Sequence, residues 1–252
     1  MKRILVLSLF LSSALHAMTK PELDSLVALI DDRQRNTGDY ESKVFMHETD
    51  GKTDKAFEAT VFRRDEDQKW MILFSKPKSE AGRGYLRVDK NLFMYEPSLG
   101  RWERNTERAS IVGTGSQRSD FDGSKLKDEF DASFIATEKL GKYSVHHLKL
   151  TAKANVEVGY PVQELWIDVD SKNVLKRQDR ANSQKLMRTI YYPSWDKRFS
   201  KSKKGDVYVP KEIRIFDEVE KGNKTIIEIR EVRFDPLQAN IFTKAWIESK
   251  SK

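Results

Sequence analysis

The chain has 252 residues, no cysteine, and 46 basic against 39 acidic side chains, for a net charge of +7. Without cysteine there can be no disulfide, thiolate metal site or thiol nucleophile, so the apolar core alone must hold the fold. Basic and acidic residues alternate along the chain instead of forming blocks, which argues against nucleic acid as a partner.

Lys2 and Arg3, the apolar run Ile4–Leu11 and the small residues Ser12–Ala17 follow the pattern of a secretory signal peptide ending at Ala17. The run is shorter than the roughly 20 residues a membrane-spanning helix needs. Residues 1–17 are therefore expected to be a removed leader and residues 18–252 a single, soluble, exported domain. Loss of Lys2 and Arg3 leaves 44 basic against 39 acidic residues. That mild excess suits transient contact with an anionic membrane surface.

Pro21 and the spacing of Leu23, Leu26, Val27 and Ile30 predict one amphipathic helix over about residues 20–35, stopped by Gly38. Beyond it the pattern changes to short strands rich in aromatic and β-branched residues: 40–48, 56–64, 69–76, 84–88 and 91–96. A polar, glycine-bearing stretch, 110–124, interrupts them, and 124–130 can form a short helix. Strands resume at 132–139, 143–151, 162–169, 174–180 and 185–192. A basic stretch with Lys197, Arg198, Lys201, Lys203 and Lys204 leads to strands 207–219 and 225–234, and 241–249 reads as a closing helical turn or two. The links are too short for helical crossovers, so the sheet must be antiparallel. These elements predict a mostly β fold: a strongly curved sheet, or incomplete barrel, of about ten or eleven strands, with helical lid elements over its mouth.

No catalytic constellation emerges. His146 and His147 are adjacent on a strand and point to opposite faces, and His47 has no second histidine at ligand spacing. Gly113-Thr114-Gly115-Ser116 lacks the lysine of a phosphate loop. No metal or cofactor is expected, and the chain is read as a binding protein, not an enzyme.

Two strands are apolar on both faces. Trp70, Ile72 and Phe74 alternate with Met71 and Leu73, and Phe93 and Tyr95 alternate with Leu92 and Met94. Such strands are covered on both sides. A curved sheet of this size is expected to leave part of its concavity unfilled, which makes a site for an apolar ligand. Taking one face per strand, the candidate cavity residues are Trp70, Ile72, Phe74, Leu86, Phe93 and Tyr95 from the first half. Leu148, Leu165, Ile167, Ile213 and Ile227 are the candidates from the second. Leu23, Leu26, Val27, Ile30, Phe121 and Leu126 are the lid candidates, and the basic stretch 197–204 is a candidate docking site for headgroups or a transporter.

Three stretches carry a resemblance: Leu29–Arg33 with Gly38-Asp39-Tyr40, then Gly84–Arg87 with Asn91–Pro97, Arg101 and Arg104, and then Ser119-Asp120-Phe121 with Leu126. With Ile241-Phe242-Thr243 and Trp246 they resemble the LolA-like family of outer-membrane lipoprotein-sorting proteins, over roughly residues 20–250. The chain departs from that pattern at Arg118, where the family tends to carry glycine, and at Asp122-Gly123, where it carries an aromatic-acidic pair. The resemblance implies an open β-barrel with a helical lid around a cavity for acyl chains, and no catalytic residues. It also implies a periplasmic carrier of a lipoprotein or lipid between inner and outer membranes, working beside an inner-membrane ABC transporter of the lipoprotein-release type. A lipid-sensing regulatory module of the same fold, reporting envelope state to a membrane partner, is the alternative.

Overall fold

The computed structural model describes residues 18–35, 37–89, 91–105 and 110–251. The leader expected over 1–17 lies outside the described residues. The first element is helix α1 (Lys20–Arg35). Thr19 caps it, with its backbone N–H and its hydroxyl both donating to the Glu22 carboxylate at 2.8 and 2.7 Å.

Six strands follow: β1 (Asp39–Thr49), β2 (Asp54–Arg64), β3 (Lys69–Lys76), β4 (Gly84–Val88), β5 (Asn91–Glu96) and β6 (Arg101–Asn105). After the short helix α2 (Leu126–Glu129) come β7 (Phe130–Leu140), β8 (Tyr143–Ala152), β9 (Val162–Asp168), β10 (Val174–Arg180), β11 (Leu186–Ser200), β12 (Gly205–Asp217) and β13 (Lys224–Arg233). Helix α3 (Lys244–Lys250) closes the chain.

All thirteen strands form one antiparallel sheet in the order β6-β5-β4-β3-β2-β1-β13-β12-β11-β10-β9-β8-β7. The sheet is open, with β6 and β7 as its two edges. The count exceeds the expected ten or eleven, and two elements differ from the segments read in the sequence. β6, Arg-Trp-Glu-Arg-Asn, is polar enough to read as a turn. β11 runs on past Pro193 through a register shift between Tyr191 and Ser194, where a residue without a backbone N–H is tolerated. The basic stretch is thus the end of β11 and its turn into β12, not a separate linker.

The two faces of the sheet are covered differently. Leu23, Leu26, Val27 and Ile30 of α1 pack on Leu148, Leu150, Leu165, Ile167 and Val174 on the inner face of the β7–β10 arm. Each such burial is worth about 1.5–3 kcal/mol. The inner face of the other arm carries Trp70, Ile72, Phe74 and Tyr85, continuous with Ile215 and Ile227. Helix α3 lies on the opposite, outer face, where Ile247 and Phe242 pack on Phe62, Met71 and Leu86. That explains the doubly apolar strand β3. The closing helix therefore backs the sheet and takes no part in the mouth.

Gly84 permits this close approach, because a Cβ there would stand 2.6 Å from the Ile247 side chain. Gly38 (φ +79°) turns α1 into β1, and a Cβ at that position would stand 2.1 Å from the Ser202 hydroxyl of the β11–β12 turn. Ile247→Ala is expected to cost about 2–5 kcal/mol and to lower the urea midpoint accordingly. An unchanged midpoint would mean that α3 is not part of the cooperative core.

Candidate functional site

Because β6 and β7 lie at opposite edges of the sheet, the chain between them must cross from one arm to the other. Its described part, 110–129, forms a strap over the concave face. Three carboxylates pin it. Asp120, in a 3-10 turn (Arg118–Asp120), meets Arg177 of β10 at 2.8 Å and Arg188 of β11 at 2.7 Å. Asp179, fully buried, meets the same two arginines at 3.0 and 2.5 Å. Burial alone would raise the Asp120 pKa, but Arg188 and Arg177 overcome it and hold the carboxyl down at about 2.

At the other arm, Asp122 accepts a hydrogen bond from the Trp70 indole at 2.8 Å and pairs with Arg87 at 2.5 Å. Asp31, buried on α1, accepts from the Ser124 hydroxyl and from the backbone N–H groups of Leu126 and Lys127, at 2.5, 2.8 and 2.9 Å. It thereby caps α2 and ties the strap to the first helix. Arg118 and Asp122, the two departures from the family pattern, pair with each other at 3.3 Å. The unusual residues form one compensated unit.

Beneath the strap and α1 lies a cavity of about 680 Å³, within the roughly 300–1,000 Å³ of small-molecule sites. Its apolar wall is made by Val44 and Met46 of β1, Val61 of β2, Ile72 of β3, Ile213 and Ile215 of β12, and Ile227 and Ile229 of β13. Phe121 of the strap packs against Trp70 in a tilted arrangement, with ring centroids 5.5 Å apart and the planes inclined by 39°.

Of the cavity candidates, Trp70, Ile72, Ile213 and Ile227 line this space. Phe74 is on the same face but is enclosed between Phe57 and Tyr85. Leu86, Phe93 and Tyr95 are on the outer face: Leu86 and Tyr95 belong to the cluster under α3, and Lys244 sits 4.3 Å above the Phe93 ring. Tyr85, Leu92 and Met94 hold the inward positions instead. Leu148, Leu165 and Ile167 face inward, but α1 fills the space above them. Among the lid candidates, Ile30, Phe121 and Leu126 reach the cavity, whereas Leu23, Leu26 and Val27 are spent on anchoring α1 to the sheet.

The candidate docking stretch is less positive than its sequence suggests. Lys197, Arg198, Lys201 and Lys203 meet Asp206, Asp196, Asp235 and Asp32 at 2.6, 2.7, 2.6 and 3.4 Å, which leaves Lys204 outside these pairs. Among the described residues no group of three or more His, Asp or Glu side chains is placed to hold a metal ion, and no helix is long and apolar enough to cross a membrane.

A family model described as "Uncharacterized protein"-like matches residues 66–249, well over half of the chain. The chain belongs to that family. No curated protein matches the sequence. Among solved structures, a domain described as that of an outer membrane lipoprotein-sorting protein from Vibrio parahaemolyticus is similar with a TM-score of 0.79 at 16% identity. That match covers 91% of this chain and 100% of the other. A DUF1329 family protein from Desulfovibrio piger gives 0.77 at 18% identity, over 89% and 97%. A LolA superfamily protein from Nitrosomonas europaea gives 0.72 at 16%, over 89% and 98%. At such identities the likeness establishes the fold alone, and that fold is LolA-like.

Within this LolA-like frame the Asp120 carboxyl is depressed from its ordinary 3.8 to about 2. Its stabilising contribution is complete above about pH 4 and is lost as the pH falls towards 2, amounting to about 2 kcal/mol. Urea midpoints should therefore drop over that window, and Asp120→Asn should flatten the drop. At pH 7 the same variant should cost about 2 kcal/mol or more, because it strips one of two carboxylates from the buried Arg188 and the half-buried Arg177. An Asn variant as stable as the parent would show the strap to be held by something else.

Proposed function

We propose that this chain is a periplasmic carrier that shelters the acyl chains of a lipoprotein or lipid in the cavity and moves them between the inner and outer membranes. The observation that carries this reading is the isoleucine- and valine-rich concavity left unfilled beneath α1 and the strap. The leader pattern at 1–17 would deliver the chain to the periplasm, and the LolA-like fold adds support.

The energetics suit the task. Transfer of an acyl chain from water into an apolar cavity gains about 0.8 kcal/mol per CH₂, so a chain of about 15 carbons gains roughly 12 kcal/mol. Transfer from a bilayer gains close to nothing, since both surroundings are apolar. Loading therefore needs an input of energy from the donor side, which is what an inner-membrane ABC transporter of the lipoprotein-release type would provide. Release follows if the acceptor favours a more open arrangement of strap and helix.

Contact with the membrane surface falls to the β11–β12 turn. Phe199 is 62% exposed there and stands in sequence among Lys197, Arg198 and Lys201. An exposed aromatic ring beside cations is suited to the headgroup region. Phe199→Ser with Lys204→Glu should weaken association with anionic vesicles, and added salt should weaken the parent's association too. Unaltered binding by the double variant would remove this turn from the contact.

The cavity reading is tested by native mass spectrometry of protein taken from its own cell envelope and by uptake of a fluorescent fatty acid. Copurifying lipid and saturable uptake are expected. Ile227→Trp, which fills the cavity from its wall, should reduce uptake several-fold while leaving the fold intact by circular dichroism. Protein free of lipid that also fails to take up the probe would defeat the proposal.

A further inference from the structure

Among the described residues six arginines line the cavity, and five of them have carboxylate partners. Arg35 pairs with Asp31 and Asp128 at 3.8 and 3.6 Å, Arg63 with Asp65 at 2.8 Å, and Arg87 and Arg118 with Asp122. Arg177 pairs with Asp120 and Asp179. Arg33 is the exception. Its Nη1 donates to the Ser171 carbonyl at 2.7 Å and to the Asn173 side-chain oxygen at 2.9 Å, and its guanidinium lies 4.2 Å from the centre of the Tyr208 ring. These partners are all uncharged. The adjacent acid, Asp32, is paired with Lys203.

Burial pulls the Arg33 pKa below the ordinary arginine value, with Tyr208 and Asp32 opposing. A half-buried cation without an ion pair is a costly arrangement unless something absent from the protein itself compensates it. The geometry also suits a ligand. One edge of the guanidinium is clamped by the turn after β9 and one face rests on Tyr208, while Nε and Nη2 make no hydrogen bond among the described residues. A fork held in this way is pre-organised for a planar or tetrahedral anion. Ile30, which lines the apolar space, precedes Arg33 by three residues on α1, about 4.5 Å along the helix and on the same side. The step from apolar wall to fixed cation has the dimensions of an amphiphile.

We propose that Arg33 receives the anionic group, phosphate or carboxylate, of an amphiphile whose acyl chain lies against the isoleucine wall. The inference rests on the carrier reading and adds the chemical class of its cargo: an anionic lipid or an acylated molecule with an acidic head.

The test is competition, against a bound fluorescent fatty-acid analogue and below micelle-forming concentrations, by chain-matched myristoyl ligands on the mature protein. Lysophosphatidylglycerol supplies the phosphate, myristate the carboxylate, and monomyristoylglycerol the neutral control, with inorganic phosphate as a chainless anion. The parent should bind at least one anionic ligand about 10-fold or more tightly than the neutral one. Arg33→Gln should bring the anionic affinities down to the neutral value and leave the neutral ligand unaffected, and Arg33→Lys should keep part of the preference. Preference for lysophosphatidylglycerol or for myristate identifies the head. The proposal is overturned if the parent binds all three lipids equally or if Arg33→Gln keeps the preference. An equal loss of all three in Arg33→Gln also overturns it, since that marks Arg33 as a clamp for α1 only, and so does displacement of the probe by inorganic phosphate that is undiminished in Arg33→Gln, since that puts the anion site elsewhere. If neither parent nor variants bind any of the lipids or the probe, the carrier reading itself fails.

Discussion

The structure depends on one topological constraint: a single chain segment must join the two free edges of an open sheet. The strands from β1 to β6 step outward in one direction, and those from β7 to β13 step back from the far edge until β13 pairs with β1. The strap over the concave face follows from that order. A segment stretched across a hollow buries little apolar surface of its own, so it must be fixed by directed interactions. Asp120, Asp122 and Asp31 supply them, one to each of the three structures the strap meets.

These anchors explain why the cavity stays partly empty. Phe121 and Leu126 reach inward, but the backbone of the strap is held at a distance set by the length of the ion pairs and cannot collapse on the isoleucine wall. Helix α1 is limited in a different way. Its apolar stripe is consumed by Leu148, Leu165 and Ile167, so only its last turns, at Ile30 and Arg33, extend over the open part. The cavity occupies what neither cover can reach. It is apolar where β12, β13 and β1 form the wall and charged where the covers are anchored, which is the polarity an amphiphile requires.

Much of this was legible in the residues. The i, i+3, i+4, i+7 spacing of Leu23, Leu26, Val27 and Ile30 predicts a helix that the structure places at Lys20–Arg35. The double apolar pattern of β3 requires cover on both sides, which the inner core and α3 provide. The candidate cavity was legible only in part. Ile213 and Ile227 mark the right strands, and Ile215 and Ile229, two residues further along each, complete the wall because alternate residues share a face. The inward face of β5 was not legible, since Phe93 and Tyr95 are as apolar as Leu92 and Met94. Nor was β6, whose polar sequence is held at an edge by backbone pairing with β5 and not by burial.

By itself the sequence determined the composition of the elements: one amphipathic helix, many short antiparallel strands, and more apolar side chains than a single-faced sheet can hide. These properties are local and periodic, and they survive whatever the chain does elsewhere. Only the tertiary structure decided which face of each strand is concave, because a period of two is symmetric about the plane of the strand and curvature is a property of the whole sheet. It also decided which charges are compensated. Arg33 and Arg177 look alike in the sequence, and what distinguishes them is that Asp120 comes to Arg177 from 57 residues away to join the neighbouring Asp179, while among the described residues Arg33 is hydrogen-bonded by neutral groups.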